Sequence, residues 1–131
     1  MTLPRGSVQV MLAHHAEPGD LEMIHGTQEV LRLLAGRWSV DVLYLLASGT
    51  RRYSQIFYEV GEISKKTLTQ TLRTLEAKGL VTRRVFPEMP LRVEYSLTTR
   101  GWSLSSLLMA MYEWSAEDGS TRRTGHLRVA A

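Results

Sequence analysis

Between Ser64 and Arg73 the chain places Ser64, Lys65, Lys66, Thr67, Thr69, Gln70 and Arg73, and no acidic residue interrupts them. These are long hydrogen-bond donors and hydroxyls. Groups of this kind suit phosphate oxygens and the edges of bases: arginine forks onto guanine O6 and N7, and glutamine pairs with adenine N6 and N7. Arg73, Lys66 and Gln70 fall on the helical face opposite Leu68 and Leu72 and are the candidates for contacts to bases. Lys65, in a first helical turn, suits a phosphate, helped by the backbone N–H groups exposed there. Thr67 and Thr69 suit either partner.

The element that must position these side chains has a defined start and stop. Ser64 is a strong N-cap, because its hydroxyl accepts from the unpaired N–H groups of the first turn. Ile63 before it and Leu68 at the fourth helical position predict a hydrophobic staple. Gly79 is placed where a helix commonly ends in a left-handed residue. Leu68, Leu72 and Leu75 recur at i, i+4 and i+7, one narrow stripe for a core. An ordinary surface helix mixes Glu with its Lys, and here only Glu76 does so.

The charge of the chain gathers around this helix. Residues 50–100 hold ten basic side chains against five acidic ones, whereas residues 1–49 are net acidic and residues 101–131 balance. A concentrated basic region is the footprint of a nucleic-acid binder, although charge alone equally describes a solvated face. With 131 residues and 14.8 kDa the chain fits one domain with one core. It has no cysteine, which excludes disulfides, thiolate metal sites and thiol redox sensing and fits a reducing cytoplasm, the expected location. No run approaches the roughly 18 apolar residues of a membrane span, and no charged-then-apolar leader marks secretion, so no membrane partner is expected. His14, His15, His25 and His126 lack ligand spacing. Without a nucleophile elbow, a phosphate-cradling glycine loop or a paired-carboxylate cleft, no cofactor, metal or enzymatic activity is expected.

The flanking elements complete a known arrangement. Residues 1–19 read as a flexible arm, 20–118 as the folded domain and 119–131 as a flexible tail. Thr27 is placed to cap a helix closed by Gly36, and Ser39 a second one, burying Val42, Leu43, Leu45 and Leu46 and stopped by Gly49. Arg52 and Tyr53 read as extended, ahead of a helix from about Ser54 to Val60. Gly61-Glu62 then turns the chain into the helix capped by Ser64. Two short helices joined by a Gly-containing turn make a helix-turn-helix, with the Ser64 helix in the recognition position. Leu80–Phe86 and Leu91–Leu97 read as strands around the breaker Pro87-Glu88-Met89-Pro90, with Leu91, Val93, Tyr95 and Leu97 on one face. Such a hairpin is a wing, and Arg83, Arg84 and Arg92 border its tip as phosphate or minor-groove candidates. Glu94 and Tyr95 read as structural, with Glu94 placed to orient a wing arginine. The fold class is therefore α+β and mostly helical: a winged helix-turn-helix with a two-stranded wing, to which the resemblance to a known family adds terminal dimerisation helices.

The last helix, about 99–117, carries Trp102, Leu107, Met111, Tyr112 and Trp114 among apolar residues spread around its circumference. A helix apolar on nearly every side has to bury two faces, and in so small a chain a second copy supplies the other. A twofold dimer would set two recognition helices into successive major grooves about 34 Å apart. The same aromatic residues could line an apolar pocket for an unidentified small-molecule effector; packing is the simpler reading.

From Leu31 to Ser115 the sequence resembles the HxlR-type winged-helix transcriptional regulators of bacteria. The matching pieces are Ala35-Gly36-Arg37-Trp38, Arg52-Tyr53-Ser54-Gln55-Ile56, Ile63 through Thr69, Leu72 through Arg83, and Pro87 through Thr98. Gly101 and Trp114-Ser115 match as well. The resemblance implies a homodimeric repressor or activator of double-stranded DNA, dimerised through helices at the two ends of the chain and binding an inverted repeat. Several members of that family sense electrophiles through a cysteine ahead of the first helix. The aligned position here is His25, so a thiol switch is not expected. The alternatives are a winged-helix module for protein partners and a small-ligand carrier, each without operator recognition.

Overall fold

The computed structural model describes residues 18–117, so the arm expected at 1–19, save its last two residues, and the tail expected at 119–131 lie outside the described residues. The chain divides into two compact units, residues 1–36 and 37–131. In the first, helix α1 runs Pro18–Leu34. This corrects the expected start at Thr27: that residue is interior, and its Oγ1 donates to the Met23 carbonyl at 2.8 Å instead of capping. Gly26 lies inside this helix, where one glycine costs only about 1 kcal/mol relative to alanine. Pro18 is at the first helical position and Asp20 in the first turn, both favourable there.

The second unit contains α2 (Ser39–Ala47), β1 (Arg51–Arg52), α3 (Tyr53–Val60), α4 (Lys65–Ala77), β2 (Val81–Phe86), β3 (Arg92–Leu97) and α5 (Thr99–Glu117). Its core is the apolar set expected of α2 (Val42, Leu43, Leu45, Leu46) together with Ile56 and Val60 of α3 and Leu68, Leu72 and Leu75 of α4, all but sealed from solvent. Full burial of each such side chain stabilises by about 1.5–3 kcal/mol. A single cap contributes about 1 kcal/mol, so the core decides the fold and the caps decide where elements begin. Ser39 is a second correction. It is the buried first residue of α2, and Trp38 occupies the cap position with no side-chain hydrogen bond.

The sheet has three antiparallel strands in the order β1-β3-β2. The wing is the expected hairpin, in a register that sets Val81 opposite Leu97, Arg83 opposite Tyr95 and Arg84 opposite Glu94. The added strand β1 pairs Arg51 with Tyr95 and Arg52 with Glu94 on the other edge of β3. The extended segment expected at Arg52 and Tyr53 is thus shifted by one residue, to Arg51–Arg52, and Tyr53 is the first residue of α3. Leu91 departs from its expected buried face: it precedes the ladder and is 64% exposed.

Candidate nucleic-acid interface

Helix α4 is fixed at both ends by its own sequence. Ser64 Oγ accepts from the Thr67 amide at 3.0 Å and donates to Thr67 Oγ1 at 2.9 Å. Ile63 and Leu68 on either side of this cap are both buried, as the staple requires. At the other end the Leu80 amide reaches the Leu75 carbonyl and the Gly79 amide reaches Glu76, with Gly79 at φ 73°. That is a Schellman ending, and buried Leu75 and Leu80 supply its apolar contact.

Two hydroxyls from neighbouring segments hold the helix in place. From α3, the Tyr53 hydroxyl lies 3.0 Å from both the Lys65 carbonyl and Thr69 Oγ1. Thr98 Oγ1 donates to the Gly79 carbonyl at 2.6 Å and accepts from the Gly101 amide at 3.0 Å, so one hydroxyl caps α5 and ties it to the end of α4. Gly101 is buried there, and a Cβ on it would collide with the Leu80 carbonyl oxygen. Arg51 Nε and Glu59 Oε2 pair at 3.2 Å and lock β1 to α3, both side chains mostly buried. Tyr44 of α2 donates to the Leu108 carbonyl of α5 at 3.2 Å. Burial, and secondarily the Tyr112 phenol, pushes the Tyr44 pKa up, so it stays a donor.

What remains outward is the expected set, with its roles separated. Lys65, Lys66, Gln70 and Arg73 are exposed, and with Thr69 they line one recess of about 330 Å³. The side chains of Lys66, Gln70 and Arg73 make no hydrogen bond or ion pair within the described residues. A second recess, of about 360 Å³, is lined by Thr69, Leu72, Arg73, Glu76, Arg83 and Tyr95. It runs from α4 to the wing, so the structure brings Arg83 to the same surface as Arg73. Ser64 and Thr67 are occupied with each other in the cap. Lys65 Nζ lies 5.8 Å from the centroid of the Phe57 ring.

On the opposite face of the wing, Arg84 and Arg92 lie against the Phe86 ring, at 4.7 and 3.8 Å from its centroid. Arg92 is also engaged by Glu88 at 2.8 Å and Glu94 at 3.1 Å. The orienting role expected of Glu94 is thus exerted on Arg92. Arg83 and Arg84 remain exposed, next to a tip where Met89 is 98% exposed.

The residues expected on α5 do not meet around a cavity in this unit. Trp102, Leu107, Met111, Tyr112 and Trp114 are all exposed, Trp114 to 73%, and only Gly101 and Leu108 of the helix are buried. Tyr53 and Thr98 were not singled out in the sequence. Thr98, directly before an apolar helix, carried a usable cap signal; Tyr53 acts across twelve residues and carried none.

A family model described as HxlR-like helix-turn-helix matches residues 33–123. An HTH-type transcriptional regulator of Methanothermobacter thermautotrophicus is 40% identical over 102 residues, 78% of each chain. The reduced form of the transcriptional regulator YodB from B. subtilis superposes with a TM-score of 0.64 at 30% identity, over 77% of this chain and 92% of that one. A transcriptional regulator of the MarR family from Enterococcus faecalis superposes with a TM-score of 0.71 at 30% identity, over 81% of this chain and 94% of that one.

Proposed function

The chain belongs to the HxlR-like helix-turn-helix family of transcriptional regulators, and we propose that it is a homodimeric, sequence-specific DNA-binding member acting on an inverted repeat. The single observation that carries this reading is the outer face of α4. There Lys66, Gln70 and Arg73 are exposed and unengaged by the other described residues, on a helix capped at both ends and packed by Leu68, Leu72 and Leu75. Arg73, Lys66 and Gln70 take base edges in the major groove, Lys65 a phosphate, and Arg83 and Arg84 the backbone or minor groove beside it.

The second partner is a copy of the same chain. The exposed Trp102, Leu107, Met109, Met111, Tyr112 and Trp114 give α5 more apolar surface than scattered exposure accounts for. Covering it with a twofold mate would present two α4 helices to one face of the duplex. The protein acts in the cytoplasm and by binding, without catalysis. Among the described residues no helix is long and apolar enough to cross a membrane. Where YodB has a reduced form, these 131 residues contain no cysteine, so any input signal here is not a thiol switch.

The test is to incubate the purified protein with sheared DNA from its own source at roughly 150 mM salt, which weakens purely electrostatic binding. Recovery of a few fragments sharing an inverted repeat supports the reading. Uniform recovery without a shared sequence overturns it in favour of a protein-binding winged helix.

A further inference from the structure

The Tyr53 hydroxyl has one hydrogen and two neighbours at 3.0 Å, the Lys65 carbonyl oxygen and Thr69 Oγ1. The carbonyl can only accept. Both contacts are hydrogen bonds in only one arrangement: Tyr53 donates to Lys65, and Thr69 donates to Tyr53. The other threonines of α4 behave differently. Thr71 and Thr74 return their hydrogens to the carbonyls of Thr67 and Gln70, at 2.9 and 3.0 Å. Thr67 accepts from Ser64. Among the described residues Thr69 alone of the α4 threonines has its hydroxyl held by another element, and it also lines both outward recesses, beside Gln70 and Arg73 and beside Arg83.

Resting on the DNA-binding reading above, we infer that Tyr53 is a positioning residue for base recognition. It consumes the hydrogen of Thr69 and fixes its rotamer, so Thr69 meets the major groove as an acceptor. An acceptor at that point selects an exocyclic amino group, adenine N6 or cytosine N4, and disfavours a base edge that presents only acceptors. Without the phenol hydroxyl, Thr69 is free to turn to the Lys65 carbonyl as Thr71 turns to Thr67, or to donate, and that selection disappears.

The test begins with the wild-type protein selecting from random-sequence duplexes, followed by affinities for the selected site with each base replaced singly. At one position in each half-site, replacing the base by its analogue without the amino group is expected to weaken wild-type binding roughly two- to tenfold, the value of one hydrogen bond. Tyr53→Phe is expected to bind the two duplexes equally while keeping the wild-type profile at every other position, and Thr69→Val to flatten the same position. A purely structural role for Tyr53 would lower all affinities alike. Such uniform loss, or an unchanged profile in Tyr53→Phe, overturns the inference. A wild-type protein that selects no sequence overturns the DNA-binding reading itself, and this inference with it.

Discussion

Arg92 donates through Nη1 to Glu94 Oε2 at 3.1 Å, two positions along the same strand of the wing. Glu88 takes the other end of the guanidinium at 2.8 Å, and Phe86 covers its face. The positive charge of Arg92 is therefore largely neutralised inside the wing, whereas the exposed Arg84 has no carboxylate partner among the described residues. Each unneutralised cation that meets a phosphate releases about one counterion on binding. Arg84→Ala is expected to lower the slope of log affinity against log salt by about 1, and Arg92→Ala by much less. Equal slope changes in the two variants would contradict this division of roles.

Ser64 Oγ holds the first turn of α4 through the Thr67 amide. Ser64→Ala is expected to lower stability by about 1 kcal/mol in urea unfolding, with Ser64→Asp recovering most of it because a carboxylate also accepts there. Equal stability of the alanine variant and wild type would remove the cap from the account of α4.

A methyl group at Gly101 meets the Leu80 carbonyl oxygen, which is backbone and cannot swing aside. Gly101→Ala is expected to cost about 1–3 kcal/mol, the usual range for overpacking, and to lower the melting temperature accordingly. The same change at Gly26, where a Cβ would meet nothing within 4 Å, is expected to be neutral or stabilising. A reversed order would refute the close approach of α5 to the end of α4.

Trp102 and Trp114 project from α5 with half or more of their surface exposed. Trp114→Glu sets a charge into the face assigned to the second copy. Light scattering at low micromolar concentration is expected to give dimer mass for the wild type and monomer mass for the variant, with helicity unchanged. Dimer mass in both would move the interface elsewhere.

Much of this was legible in the residues because the signals were local. The cap, stripe and terminal glycine of α4 all fall within one short segment and agree with one another, and α2 announced its core through Val42, Leu43, Leu45 and Leu46. Where a local signal was contradicted by tertiary context, the sequence misled. Thr27 looked like a cap and lies inside α1; Ser39 looked like a cap and is buried. Non-local relationships left no trace in the pattern. Tyr53 reaches α4 from a different helix, Arg51 pairs across α3, and β1 is a strand only because β3 lies beside it. Arg92 shows the same limit within the site: its basic type was readable, but its neutralisation by Glu88 and Glu94 required the register of the wing and the path of its tip.

The central claim is that the outer face of α4 reads DNA, and the Lys66→Ala, Arg73→Ala double variant tests it most directly. Fluorescence anisotropy on the duplex recovered by the wild-type protein, at fixed salt, would be measured beside mass and circular dichroism of both proteins. The expected result is loss of specific binding by the double variant with dimer mass and helicity intact. Binding as tight as that of the wild type would contradict the assignment of this face.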